Sequence, residues 1–296
     1  MHAPTARFVP RPGLDGVILA TVLLAWGLML ALLALEQTAV IEHDAILTDG
    51  RLAWPLALVV FVAAWQLMTA AMMLPTSLPM VRAFAVTVRG QRQPRLALTA
   101  FLAGYFAIWT GFAFVALGGD ALLHGLVDRW TWLADRPGLI GGAMLTGAGV
   151  FQFSPLKERC LAECRSPLQF LWRHYRRGVG GAWQLGLRHG IFCVGCCWAL
   201  MLVMFAVGIG SLAWMAGLTG VMLVEKTSRW GRRLFPIVGV ILIGWGLLTL
   251  LPVAVASGHV GEIHARAGDD PLLGAAVVVA LAAGVTWWRR RSRPSR

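Results

Sequence analysis

Residues 96–117 read LALTAFLAGYFAIWTGFAFVAL, from Leu96 to Leu117, without one charged side chain. As a helix rising 1.5 Å per residue, about 20 such residues cross a hydrocarbon core of about 30 Å. In hydrocarbon the backbone must satisfy its own N–H and C=O groups. The strand alternation of a barrel is absent, so a helix is expected. Runs of the same kind recur at 17–35, 54–80, 139–153, 185 to about 206, about 209–224, 234–255 and 272–288. The 19 apolar residues of the first run are long for a signal peptide and end without a clean cleavage site, so a retained anchor is expected.

Composition agrees. The chain is 58% hydrophobic and 14% charged, with a mean hydropathy of +0.69, against about 45–50% apolar and about 25% charged residues in a soluble domain. The expected architecture is all-α, a polytopic bundle of about eight transmembrane helices forming a single integral membrane domain over 1–296. Charge placement orients it. With the N-terminus inside, every Lys and Arg except Arg51, Arg129, Arg136 and Arg266 falls in an inner segment, and every acid except Asp15, Glu158, Glu163 and Glu225 falls outside. This is the positive-inside pattern. It puts both termini in the cytoplasm and the chain in a bacterial inner membrane, with the lipid bilayer as its solvent. The net charge of +12 therefore reports topology, and nucleic acid is not expected as a partner.

Two segments are irregular. The link around Gly208, Gly210 and Ser211 carries no charge, which suits a short, tilted or partly re-entrant pair of helices. The longest inner segment, 154–180, mixes Leu168, Phe170, Leu171, Trp172 and Tyr175 with Arg173, Arg176 and Arg177, as a short helix in the headgroup layer would.

All five cysteines lie within one third of the chain. Cys160 and Cys164 sit in the inner segment, four residues apart, and share a face if that stretch is helical. Cys193, Cys196 and Cys197 lie in the fifth run. With His189 they form one helical stripe that Met201 and Met204 continue toward the outer side. Neither group faces the oxidising side, so the odd count does not read as a structural disulfide set. Thiolate and thioether donors without a carboxylate favour a soft transition metal, copper(I), with zinc as the alternative. A bound monovalent cation also offsets one thiolate charge, which would otherwise cost at least about 2.5–3.5 kcal/mol at the bilayer centre.

The bland readings carry different weights. Methionine at helical spacing usually means packing, which holds for Met201 and Met204 and also for Met72 on the second run. The Cys-x-x-Cys-Cys group beside a histidine is harder to reduce to packing. Glu225-Lys226, at the inner end of the sixth run, reads as an interface anchor; the alternative is that Glu225 pairs with an inner-loop arginine near the cysteines.

A phosphate-binding glycine loop, a Ser-His-Asp set and paired intramembrane carboxylates are all missing from the sequence, so an enzyme is not the favoured reading.

The stretches AMMLP (71–75), GYFAIW (104–109), SPLK (154–157), CLAECRSP (160–167), GLRHG (186–190), CVGCCW (193–198) and Glu225-Lys226 resemble a bacterial domain-of-unknown-function family of predicted metal-binding integral membrane proteins. The resemblance runs from about residue 65 to 252. It implies metal binding through Cys160, Cys164, His189, Cys193, Cys196 and Cys197. One departure is Gly210-Ser211, where relatives tend to carry Met-Asn.

The leading expectation is a protein that handles Cu(I), in transport, delivery or homeostasis, passing it between Cys160/Cys164 and the cysteine stripe. A metallochaperone or metalloenzyme would be its partner. The rival is a membrane thiol–disulfide electron carrier using Cys193/Cys196 and Cys160/Cys164, although a disulfide inside a helix is geometrically demanding. A third reading is an anchoring subunit of a metalloenzyme complex.

Overall fold

The structure is a computed structural model that describes residues 12–34, 53–207 and 211–251. Among them the chain is all-α: α1 (Pro12–Ala34), α2 (Trp54–Thr87), α3 (Pro94–Arg129), α4 (Thr131–Ala134), α5 (Pro137–Phe151), α6 (Pro155–Arg165), α7 (Pro167–His174), α8 (Val179–Val207), α9 (Leu212–Thr227) and α10 (Gly231–Leu250). The first seven apolar runs each coincide with a helix, and the eighth, 272–288, lies outside the described residues. Four helices (α2, α3, α8 and α10) are long and apolar enough to cross a membrane. A fifth crossing exists if α5 and α6, bent by 63° at their junction, count as one span. In α1 the apolar stretch is shorter, Gly16–Leu32.

Prolines punctuate the chain. Pro94, Pro137, Pro155 and Pro167 sit in the first turn of α3, α5, α6 and α7, where the missing N–H costs nothing. Pro75 and Pro79, by contrast, lie inside α2, and the helix runs through both. Pro75 has no N–H to offer the carbonyl of Ala71. The indole N–H of Trp26 donates to that oxygen instead at 3.2 Å, tying α1 to α2.

Close packing between the helices is set by small residues. Helices α3 and α8 share the most extensive interface. There a Cβ on Gly186 would overlap the Phe101 carbonyl, and one on Gly104 would meet the backbone of Trp183 and Leu187. Helices α5 and α10 approach in the same way through Gly142, Gly149, Gly239 and Gly246. Large aliphatic side chains such as Leu24, Val59, Val115 and Leu248 are exposed on the outside of the bundle. Polar atoms face inward: Gln66 on α2 donates to the Phe106 carbonyl on α3 at 3.1 Å.

Segment 154–180 folds into two helices. Ser154 caps α6 by accepting from the Lys157 N–H at 3.1 Å. Helix α6 lies against α8, so Cys160 and Cys164 meet the cysteines of α8. In α7, Phe170 and Leu171 are buried while Leu168 and Trp172 are exposed, the two-sided character expected of that stretch.

Candidate metal centre

Five helices converge on one buried polar cluster. Helix α8 supplies His189, Cys193, Cys196 and Cys197, none more than 2% exposed. The thiols of Cys196 and Cys197 both donate to the Cys193 carbonyl, at 3.2 and 2.7 Å. Helix α6 brings Cys160 and Cys164. The sulfurs of Cys164 and Cys196 are 3.9 Å apart, and Cys160 sits over Gly195, where a side chain on α8 would collide with its sulfur. On α6, outside the four long apolar helices, burial pushes the Cys160 thiol up to about 11, with Cys196 and Glu163 acting in the same direction. All five cysteines are free and buried.

Helices α2 and α3 close the other side. Cys197 Sγ lies 3.7 Å from Met73 Sδ. Tyr105 Oη is 3.2 Å from Cys193 Sγ and accepts from Ser77 at 3.0 Å. His189 stacks between the rings of Phe101 and Tyr105, at centroid distances of 5.9 and 5.4 Å. Its buried Nε2 has no hydrogen-bond partner among the described residues. Buried ring nitrogens are normally satisfied, so this one is held ready for a further interaction.

Helix α9 contributes charge. Lys226, only 6% exposed, donates to Thr76 Oγ1 at 3.1 Å and to Cys193 Sγ at 3.1 Å, with Cys197 Sγ at 3.7 Å. Glu225 pairs with Lys157 at 2.8 Å, and both side chains are nearly inaccessible. Arg165 donates to the carbonyls of Glu225 and Ser228 at 2.6 and 2.7 Å, satisfying the open end of α9.

The structure thus brings Cys164, Cys193, Cys196 and Cys197 together, places Cys160 beside them, and sets His189 one turn away on α8. Met72, Met201 and Met204 are fully buried in the same packed core, while the thioether against a thiol belongs to Met73. Glu225-Lys226 is no interface anchor: the last turn of α9 points inward, and the partner of the Glu225 carboxylate is Lys157 rather than an arginine. Lys157, Met73 and Tyr105 were given no site role by the sequence, and Lys226 was given a different one. The available signal was their place in the stretches AMMLP (71–75), GYFAIW (104–109), SPLK (154–157) and Glu225-Lys226 that carry the family resemblance.

Among the described residues no three His, Cys, Asp or Glu side chains form a preformed ligand shell. The thiols engage a backbone carbonyl and an ammonium instead, and must turn to hold an ion. The donor set still fits a soft one. A thiolate–metal bond is about 2.3 Å, so two sulfurs 3.9 Å apart are within reach of one ion. The donors at hand are thiols, a thioether and an unpartnered imidazole nitrogen, the types that select Cu(I) or Zn(II).

Residues 62–249 match the family model described as PpoB2, copper chaperone. That stretch contains every residue of the cluster and most of the bundle around it. No curated protein and no solved structure matches the chain.

Proposed function

The chain belongs to the PpoB2 copper chaperone family, and from that premise we propose that it is a multi-pass protein of a bacterial inner membrane that receives Cu(I) and hands it on through its cysteine cluster. The observation that carries the reading is the meeting of α6 and α8, with Cys164 and Cys196 sulfur to sulfur at 3.9 Å. An ion held by the inner pair Cys160/Cys164 is then one ligand exchange from Cys193, Cys196 and Cys197. Such steps replace one Cu–S bond by another at little cost, because the same soft donor type stands on both sides. His189 is the imidazole candidate, and Met72, Met201 and Met204 extend the soft lining. The protein carries the ion without chemical turnover, and its partner is a metallochaperone or a copper enzyme. Zinc is the competing metal.

The membrane setting rests on the four long apolar helices, the exposed aliphatic surface and the positive-inside charge pattern. On this reading residues 1–296 form one integral domain of about eight spans with both termini in the cytoplasm. The cysteine-rich metal-site region is 154–226, with Cys160 and Cys164 in its inner segment.

The same geometry favours a specific form of the rival reading. If the thiols carry electrons, the pair that forms a disulfide is Cys164/Cys196, across two helices, rather than Cys193/Cys196 within one.

Metal content decides between them. Full-length protein purified in detergent, reduced and anaerobic, is analysed by mass spectrometry beside a variant carrying Cys193→Ser, Cys196→Ser and Cys197→Ser. Roughly one copper per chain, lost in the variant, is expected. Equal copper in both samples, or none in either with a Cys164–Cys196 disulfide on mild oxidation, would overturn the copper reading.

A further inference from the structure

Lys226 presents an electrostatic problem that the cluster itself poses. Its ammonium is buried, and its partners are one hydroxyl and two thiols. Among the described residues no carboxylate lies in salt-bridge range of it. Glu225, its neighbour in sequence, is engaged by Lys157. That pair sums to zero, and Arg165 is committed to backbone carbonyls at the end of α9. Among the described residues the ammonium of Lys226 therefore faces thiols and a hydroxyl and no carboxylate. A buried charge without a counter-charge costs several kcal/mol and persists only where something offsets it. The groups around Lys226 that become anionic on binding a metal are the thiols.

Resting on the reading of the cluster as a metal site, we propose that Lys226 is the internal counter-cation of the anionic complex two of these thiols form with a monovalent ion, and that this charge match selects Cu(I) over divalent metals. The balance is explicit. One Cu(I) bound by two thiols displaces two protons to water. Two Cu–S bonds form, two S–H bonds break and no electron moves. The complex carries one negative charge, and with Lys226 the site sums to zero. Zn(II) on the same two thiols gives a neutral complex and leaves the lysine charge unpaired, so a divalent ion must recruit a third thiolate. The side chain suits the role. Its ammonium is a compact charge on a flexible four-carbon stem, able to give way as the ion enters while staying close. It also approaches from α9, so it offsets the complex without occupying a position on the cysteine helices.

The test measures two affinities on the full chain in detergent, reduced and anaerobic. Cu(I) is titrated against a competing Cu(I) chelator, and Zn(II) against a zinc indicator, for wild type, Lys226→Met, Lys226→Gln and Lys226→Arg. Removing the charge is expected to weaken Cu(I) binding roughly 100-fold while Zn(II) binding holds or rises, so the Cu(I)/Zn(II) preference falls by about two orders of magnitude. Lys226→Arg keeps the charge and most of the preference. Lys226→Gln, which retains hydrogen bonding, behaves like Lys226→Met and stands in for it if the methionine variant does not fold. Two results overturn the proposal: a preference unchanged in the neutral variants, or both affinities falling in parallel, which is what a merely structural lysine would give. Failure of the wild type to bind Cu(I) at all instead overturns the reading of the cluster on which the proposal rests.

Discussion

Gly186→Val is expected to leave no folded protein. A Cβ at this position overlaps the Phe101 carbonyl, a backbone atom of α3 that cannot rotate away. The α3–α8 interface is the broadest in the bundle. Ordinary overpacking costs about 1–3 kcal/mol because side chains can shift. Here two helix backbones must separate, and the packing of Tyr105 and His189 above Gly186 separates with them. The change should abolish the monodisperse peak in detergent size exclusion and any cooperative thermal transition. Gly147→Ala is the control: it lies inside α5, but nothing stands within 4 Å of an added Cβ. It should fold as wild type does. A Gly186→Val protein of normal yield and melting temperature would show that α3 and α8 are not in backbone contact.

The second large effect concerns the buried ion pair. Lys157→Met strips Glu225 of its partner while leaving its carboxylate inaccessible, with Oε1 already lacking a hydrogen bond among the described residues. Breaking a buried pair from one side costs about 3–5 kcal/mol, because the surviving charge is left uncompensated. Lys157→Met combined with Glu225→Gln removes both charges and should recover most of the loss. Thermal denaturation of the wild type and these two variants measures this. If the double variant is as unstable as the single one, the penalty comes from lost packing at the α6–α9 contact and not from an orphaned charge.

How much of this was legible beforehand varies from element to element. The helix over α3 follows from 96–117, because an uncharged run of that length has few other stable forms in hydrocarbon. Helix α7 was legible in the mix of apolar and basic residues at 167–177, and α6 only as a condition on the shared face of Cys160 and Cys164, although a proline stands in the first turn of each. The face shared by Cys160 and Cys164 follows once α6 is helical. The 63° bend between α5 and α6, which carries those cysteines onto α8, was not legible, because it depends on how the two helices pack. The choice of Met73 over Met72 against Cys197 has the same origin. Adjacent helical residues point about 100° apart, and only the placement of α2 against α8 decides which one faces inward. Lys226 is the sharpest case. A lysine beside a glutamate at a helix end normally seeks water, and here the tertiary fold overrides that preference and turns the ammonium onto two thiols.

The central claim is that copper is held by the sulfurs of this cluster. X-ray absorption at the copper edge, on full-length protein loaded anaerobically with one equivalent of Cu(I), reads oxidation state and bonded atoms together. The account predicts monovalent copper with sulfur neighbours, lost when Cys193, Cys196 and Cys197 are replaced by serine. Divalent copper, or a shell of nitrogen and oxygen alone, would contradict it.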